Sequence, residues 1–163
     1  MANQPNITPQ QVADAIRAGL PNRPDVVLSS SEASELAGTY RDNLQHYREH
    51  VLKSAADGDY LQVAEKSWGA YTQTIKAIAA EHRLRVRSHT IILRVSERLV
   101  SLVSLRDPAS GVVLDNGANS AHSMHIHFYE NDLPAETVIR RADGVAAAID
   151  LLQELFPPEP TAS

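Results

Sequence analysis

Hydrophobic residues recur mostly three or four positions apart along this chain, which is the spacing of one face of an α-helix. The longest such segment begins after three serines, residues 29–31, which can cap a helix N-terminus. It runs to about residue 56, where Asp57-Gly58-Asp59 favours a turn. Its apolar positions are Ala33, Leu36, Ala37, Tyr40, Leu44, Tyr47, Val51 and Ala55. The pattern predicts a long amphipathic helix.

Four more helices are predicted by the same spacing, over residues 60–83, 88–104, 113–130 and 135–156. Asp59, Ser88 and Asp132 are the expected caps of the first, second and last of these. The segment 88–104 is rich in β-branched residues, which is typical of strands, but its length and spacing favour a helix.

The N-terminal segment predicts a short helix of its own. Thr8, Pro9 and Gln11 form the pattern of a capping box with proline at the first helical position. Residues 1–28 are therefore interpreted as an N-terminal helical arm, with a partner or a neighbouring subunit as its possible cover. Residues 29–156 form the bundle, and the proline-rich residues 157–163 a flexible tail. The expected fold class is all-α, an up-down antiparallel bundle of four to five helices.

Composition narrows the classes of protein. Cysteine is absent, which excludes a disulfide scaffold and a thiolate metal site. No apolar stretch reaches the length of a membrane span, and the first residues lack the apolar core of a signal peptide. We therefore expect a cytoplasmic protein without membrane contact, and nothing in the sequence predicts a cofactor.

Charge is distributed unevenly along the chain. The net charge is −5, which argues against nucleic-acid binding by the whole surface. The segment of residues 82–106, called the basic segment below, nevertheless carries six arginines against one acidic residue, Glu97. Such a segment predicts an anion-binding face or, alternatively, an ordinary solvated helix start. Its arginines are Arg83, Arg85, Arg87, Arg94, Arg98 and Arg106.

Two blocks of sequence resemble a known family. The first is Gly58-Asp59 followed by Glu65-Lys66 and Trp68-Gly69-Ala70, and the second is Leu114, Ala121 and residues 124–130, MHIHFYE. In this order they resemble the archaeal PaREP family of HEPN-like helical bundles, over about residues 30–156. His127 departs from the pattern, which usually has asparagine there. The resemblance implies a HEPN-like bundle that is often dimeric, with no established role.

The wider HEPN group includes ribonucleases in which an arginine is followed a few residues later by a histidine. Two pairs fit that spacing, Arg41 with His46 and Arg83 with His89. The first pair lies in one continuous helix and is expected to point in different directions, with His46 in solvent. The second pair flanks a turn and could converge, with His as general acid or base and Arg stabilising the phosphorane.

Two histidine-rich patterns suggest metal sites, but neither is expected to bind a metal. Residues 46–50, HYREH, match an inverted zinc-protease motif without a third ligand, and lie mainly outside the apolar face. On a regular helix His122, His125 and His127 point in different directions. His125 is expected on the apolar face and His127 away from it.

Glu65 is predicted at the edge of the core, where a carboxylate needs a partner. The candidates are His125, His89 or an arginine of the basic segment. Such a contact would be either a polar clamp between helices or a small pocket beside Trp68 for a nucleotide or an RNA base.

Two functions are consistent with these patterns. The first is a non-catalytic binding module for a nucleotide, RNA or a protein partner, acting as a homodimer. The alternative is a metal-independent ribonuclease that uses Arg83 and His89 as catalytic residues. The candidate ligand-binding residues are Glu65, Trp68, Arg83, Arg87, His89, Arg94 and His125.

Overall fold

A computed structural model describes residues 6–158 of the protein. Within that range the fold has six α-helices and no β-strand, which confirms the all-α class. With the arm helix included, the bundle has six helices rather than the expected four to five. A short 3₁₀ turn, Pro24–Val26, follows the first helix. The end of the predicted tail, residues 159–163, lies outside the described residues. The helices are α1 (Pro9–Gly19), α2 (Ser30–Ala56), α3 (Tyr60–Glu81), α4 (His89–Ser104), α5 (Pro108–Glu130) and α6 (Ala135–Leu155).

Polar side chains set the starts of the first four helices. Thr8 and Ser29 form capping boxes with Gln11 and Glu32, at the starts of α1 and α2. The side chains of Asp59 and Ser88 accept hydrogen bonds from backbone N–H groups of α3 and α4. These four predicted caps are confirmed.

The start of α5 was predicted wrongly, at about residue 113. The helix begins at Pro108, because Asp107 caps it and proline fits the first helical position. The Asp107 carboxylate accepts from the backbone N–H of Ala109 at 3.1 Å and of Ser110 at 3.4 Å. Gly111 therefore lies inside the helix rather than in a loop.

Asp132 does not cap α6, contrary to the prediction. Pro134 occupies the cap position and makes no side-chain hydrogen bond there. Asn131, with φ 51°, ends α5 in the left-handed conformation and turns the chain back toward His127. Asp132 is thereby placed against the His127 side chain instead.

Two pairs of consecutive helices run antiparallel. Arg41 of α2 pairs with Glu81 near the end of α3, whereas Tyr47, further along α2, lies over Gly69, earlier in α3. A Cβ at Gly69 would lie 2.8 Å from the Tyr47 ring, so glycine permits this contact. The helices α5 and α6 also form an antiparallel pair, in which Gly117 packs on Ala148.

The up-and-down order fails between α3 and α4. After a turn at residues 82–83, residues 84–88 form an extended segment held to the N-terminal arm by an isolated antiparallel bridge of Val27 with Leu84. The segment carries the chain back beside α3, so that α4 begins near Trp68. Further along both helices, Tyr71 of α3 hydrogen-bonds Ser96 of α4, so these helices are not antiparallel. Burial raises the pKa of Tyr71 to about 12.

The central helix is α3, which contacts α2, α4, α5 and α6. The arm packs on its own bundle: Val12 and Ile16 of α1 are buried in the same core as Ile92 and Val95 of α4. A Cβ at Gly19 would lie 3.0 Å from the backbone nitrogen of Val95. The apolar side of α1 is therefore covered by its own bundle. Among residues 6–158, no helix is both long and apolar enough to cross a membrane.

Candidate functional site

Four ring side chains from three helices meet at one place, called the aromatic–histidine cluster below. Trp68 lies in α3, His89 is the first residue of α4, and His125 and Tyr129 lie one turn apart on α5. The extended segment before α4 is what brings His89 to the middle of α3. The cluster therefore depends on the departure from a simple up-and-down bundle.

The rings of the cluster contact one another closely. Trp68 and His125 are stacked, with their ring centroids 4.8 Å apart and an interplanar angle of 25°. His89 meets both rings edge-on, at 5.5 Å from Trp68 and 4.5 Å from His125. Tyr129 meets His125 edge-on at 5.4 Å. Such contacts stabilise the junction of the three helices.

The cluster is closed on its inner side and open on its outer side. Trp68 is 6% exposed, and His125 is half-buried. His89 is exposed, and Tyr129 is 72% exposed. A buried tryptophan therefore supports an outer layer of rings that a planar ligand can reach.

The surroundings of His125 favour its neutral form. Burial lowers its pKa from the ordinary 6.5, and the nearby His89 and His122 lower it further. A neutral imidazole keeps its faces available for stacking. It can also accept a hydrogen bond on one nitrogen and donate from the other.

The basic segment begins directly after α3, includes α4 and ends in the turn before α5. Five of its arginines are exposed and form no ion pair with any residue in the described range 6–158: Arg83, Arg87, Arg94, Arg98 and Arg106. The exception is Arg85, which lies 3.7 Å from Glu32. Arg87 precedes His89 by two residues, and its side chain lines a groove together with Leu20 and Arg23 of the N-terminal arm.

Arg83 and His89 make different contacts. The Arg83 side chain donates from Nε to the carbonyl oxygen of Leu28 at 3.0 Å and lines a groove of about 440 Å³ beside α2. His89 contacts Trp68 and His125 instead. The predicted convergence of Arg83 with His89 finds no support in these contacts.

The prediction that Glu65 pairs with a histidine or an arginine is wrong. Its carboxylate pairs with the neighbouring Lys66, at 3.5 Å, and with no histidine or arginine in the described range. Its side chain is 39% exposed, so it does not need a buried partner. Lys66 also lies 5.6 Å from the centre of the Tyr47 ring. These residues belong to the contact between α2 and α3 rather than to the cluster.

His127 was predicted to point away from the apolar face, but it is buried, 2% exposed. Its Nδ1 accepts hydrogen bonds from the backbone N–H groups of Asp132 and Leu133, both at 3.0 Å. Because the chain folds back after Asn131, this face of α5 is covered. The family pattern has asparagine here, and an amide oxygen could accept the same bonds.

The expectation that Arg41 and His46 point in different directions, with His46 in solvent, is confirmed. Arg41 pairs with Glu81, donating from Nε at 2.7 Å, while His46 is exposed. His46, Glu49 and His50 are all exposed on α2. No group of three or more potential ligands in residues 6–158 is arranged to hold a metal ion.

Sequence reasoning missed one member of the cluster, Tyr129. A signal was present, because Tyr129 follows His125 by four residues and so shares its helix face.

Comparison with known proteins identifies the family. The chain belongs to the archaeal PaREP1/PaREP8 family, whose sequence profile matches residues 39–149. Searches of curated proteins and of solved structures gave no significant match. The matched range contains all four residues of the aromatic–histidine cluster: Trp68, His89, His125 and Tyr129.

Proposed function

We propose that this member of the PaREP1/PaREP8 family is a HEPN-like, non-catalytic module that binds single-stranded RNA, with bases stacking on the aromatic–histidine cluster. The observation that carries the proposal is the stacked pair Trp68–His125, which is extended outward by exposed rings. Bases stack on aromatic side chains without a strong sequence preference, and each such contact contributes about 1–3 kcal/mol.

The exposed arginines of the basic segment support the choice of ligand. Stacking platforms for single strands are commonly combined with cationic side chains that follow the phosphate backbone. Here Arg87 precedes the platform, and Arg94 lies on the exposed side of the helix that His89 begins. The acidic remainder of the chain would limit RNA to this surface.

Direct binding tests the proposal. The affinity for a fluorescently labelled 12-nucleotide single-stranded RNA is measured by anisotropy at several salt concentrations, with the matching duplex as control. We expect binding that weakens with salt and a clear preference for the single strand, since duplex bases are not free to stack. In Arg87→Ala/Arg94→Ala the affinity and its salt dependence should both fall. Equal affinity for the duplex would contradict the proposal.

The alternative, a metal-independent ribonuclease, gains no support from the contacts of Arg83 and His89. An RNA pool incubated with the wild-type protein provides the test. Cleavage that is lost in both Arg83→Ala and His89→Ala would favour the ribonuclease over the binding module.

We also propose that the protein is a homodimer in the cytoplasm. Two large apolar side chains, Leu105 at 82% and Val112 at 69% exposure, flank the turn between α4 and α5. Gly111 packs closely on Ser104 at this turn. An apolar patch of this kind is suited to two-fold pairing.

A further inference from the structure

A polar cavity lies between α5 and α6, apart from the aromatic–histidine cluster. Its volume is about 410 Å³, within the range of small-molecule sites, and it is lined by Asn116, Asn119, Ser120, Arg140 and Arg141. Asn116 precedes His125 by nine residues, which places the two about 180° apart around α5. The cavity and the cluster are therefore on opposite sides of the same helix.

The lining of the cavity is rich in hydrogen-bond donors and contains no carboxylate. Two guanidinium groups, two amides and a hydroxyl face it, and guanidinium groups never act as acceptors. Within the described range, neither Arg140 nor Arg141 forms an ion pair. The cavity therefore carries uncompensated positive charge in an acidic protein.

Ser120 is the buried member of this lining, at 8% exposure. Its hydroxyl makes no hydrogen bond to another residue of the described chain. Because Ser120 lines the cavity, this hydroxyl is available to a ligand oxygen. Ser120 thus adds an inner contact point to the cationic rim.

Two glycines hold the helices close enough to form this site. A Cβ at Gly117 would overlap the side chain of Ala148, so glycine is needed where the helices cross. A Cβ at Gly144 would lie 3.0 Å from the amide nitrogen of Asn116 and 3.7 Å from the Ser120 hydroxyl. The bare backbone of Gly144 therefore leaves room for the two polar side chains.

We infer that the cavity between α5 and α6 is a binding site for a small phosphate monoester. Paired guanidinium groups suit the oxygens of a phosphate dianion, and amides with a hydroxyl suit the hydroxyls of an attached sugar. No aromatic ring lines the cavity, so it offers no platform for a base. The ligand is recognised through its phosphate and its polar remainder.

Calorimetric titration with ribose 5-phosphate tests the inference, at constant ionic strength in chloride. We expect saturable binding, and in Arg140→Ala/Arg141→Ala a loss of affinity of about tenfold for each charge-assisted contact removed. Arg98→Ala, which removes an exposed and unpaired arginine elsewhere, should bind as the wild type does. Gly144→Ala should weaken binding by displacing the Asn116 amide, with an unchanged circular dichroism spectrum.

The phosphate could instead belong to the RNA backbone, and the same variants separate the two sources. If the double arginine variant loses RNA affinity while the wild type does not bind ribose 5-phosphate, the inferred site is wrong. Saturable binding of ribose 5-phosphate that is unchanged in Arg140→Ala/Arg141→Ala would also overturn it. Tyr129→Ala should leave ribose 5-phosphate binding unaltered, so failure of the RNA proposal is distinguishable from failure of this one.

Discussion

Trp68 and His125 lie face to face, with ring centroids 4.8 Å apart, and thereby join α3 to α5. The partner rings of His89 and Tyr129 extend this contact to the surface. The same arrangement stabilises the helix junction and creates a stacking surface, so its two roles can be measured by different experiments.

Protonation of His125 should destabilise the fold. Burial and the nearby His89 and His122 lower its pKa in the folded state below the ordinary 6.5. Between the two pKa values the unfolded chain binds more protons, so stability is full above the ordinary pKa and is lost as the pH falls below it. Urea unfolding from roughly pH 8 to pH 5 should show this decrease, and His125→Gln should reduce it.

The matched control for that experiment is His46→Gln. His46 is exposed on α2, so its replacement should leave the pH dependence of the free energy of unfolding unchanged. An identical pH dependence in His125→Gln and in the wild type would contradict the assignment to His125.

The ion pair of Arg41 with Glu81 should stabilise the α2–α3 pair measurably. The Arg41 and Glu81 side chains are only 19% and 11% exposed, and the Arg41 Nη2 nitrogen lies 2.6 Å from the carboxylate. Nε, not Nη2, makes the well-aligned hydrogen bond. Replacing the carboxylate in Glu81→Gln leaves a half-buried guanidinium without its counter-charge, which should cost about 2 kcal/mol in urea unfolding.

An exposed pair of the same type provides the comparison. Arg23 and Asp25 are 66% and 42% exposed, so Asp25→Asn should change the free energy of unfolding by less than about 1 kcal/mol. Equal effects of Glu81→Gln and Asp25→Asn would show that burial does not strengthen the Arg41 pair.

Two glycine-to-alanine changes should have opposite signs. Gly38 lies on the exposed side of α2 with nothing within 4 Å of a Cβ, so Gly38→Ala should stabilise by about 0.5–1 kcal/mol. In Gly117→Ala the new methyl overlaps Ala148, so the change should destabilise by about 1–3 kcal/mol. Thermal unfolding measures both. A stabilising Gly117→Ala would contradict the described crossing of α5 and α6.

Sequence patterns predicted the helices and most of their starts because these depend on local residues. Ser29 and Asp59 act within one turn of their own position, and three–four spacing follows from helix geometry. The path of residues 82–88 could not be predicted, because it depends on the bridge of Val27 with Leu84, which are far apart in the chain.

The site was predicted only in part, because its residues could be found from local patterns but the contacts between distant parts of the chain could not. Trp68, His89 and His125 were expected to be important, and the structure brings them together. Glu65 was placed correctly near the edge of the core, yet its position around the helix could not show that Lys66 would be its partner. His127 was misplaced because the fold-back of residues 131–133 covers a face that the isolated helix would expose.

The proposed dimer predicts a change of mass when its apolar patch is made charged. Sedimentation equilibrium at micromolar concentration should give about twice the chain mass of 17.8 kDa for the wild type. Leu105→Lys should give the monomer, whereas Leu52→Lys should remain a dimer. Leu52 is a suitable control because it is 73% exposed on α2. A monomeric wild type would contradict the proposal.

The central claim is that RNA bases stack on the aromatic–histidine cluster, and Trp68, the only tryptophan of the chain, reports on it directly. The decisive measurement is titration of Trp68 fluorescence with single-stranded RNA in the wild type, Tyr129→Phe and Tyr129→Ala. We predict saturable quenching with similar affinity in the wild type and Tyr129→Phe, which keeps the ring. In Tyr129→Ala the affinity should fall by about tenfold or more, corresponding to one lost stacking contact. Unchanged affinity in Tyr129→Ala, or RNA binding without any change in Trp68 fluorescence, would contradict the claim.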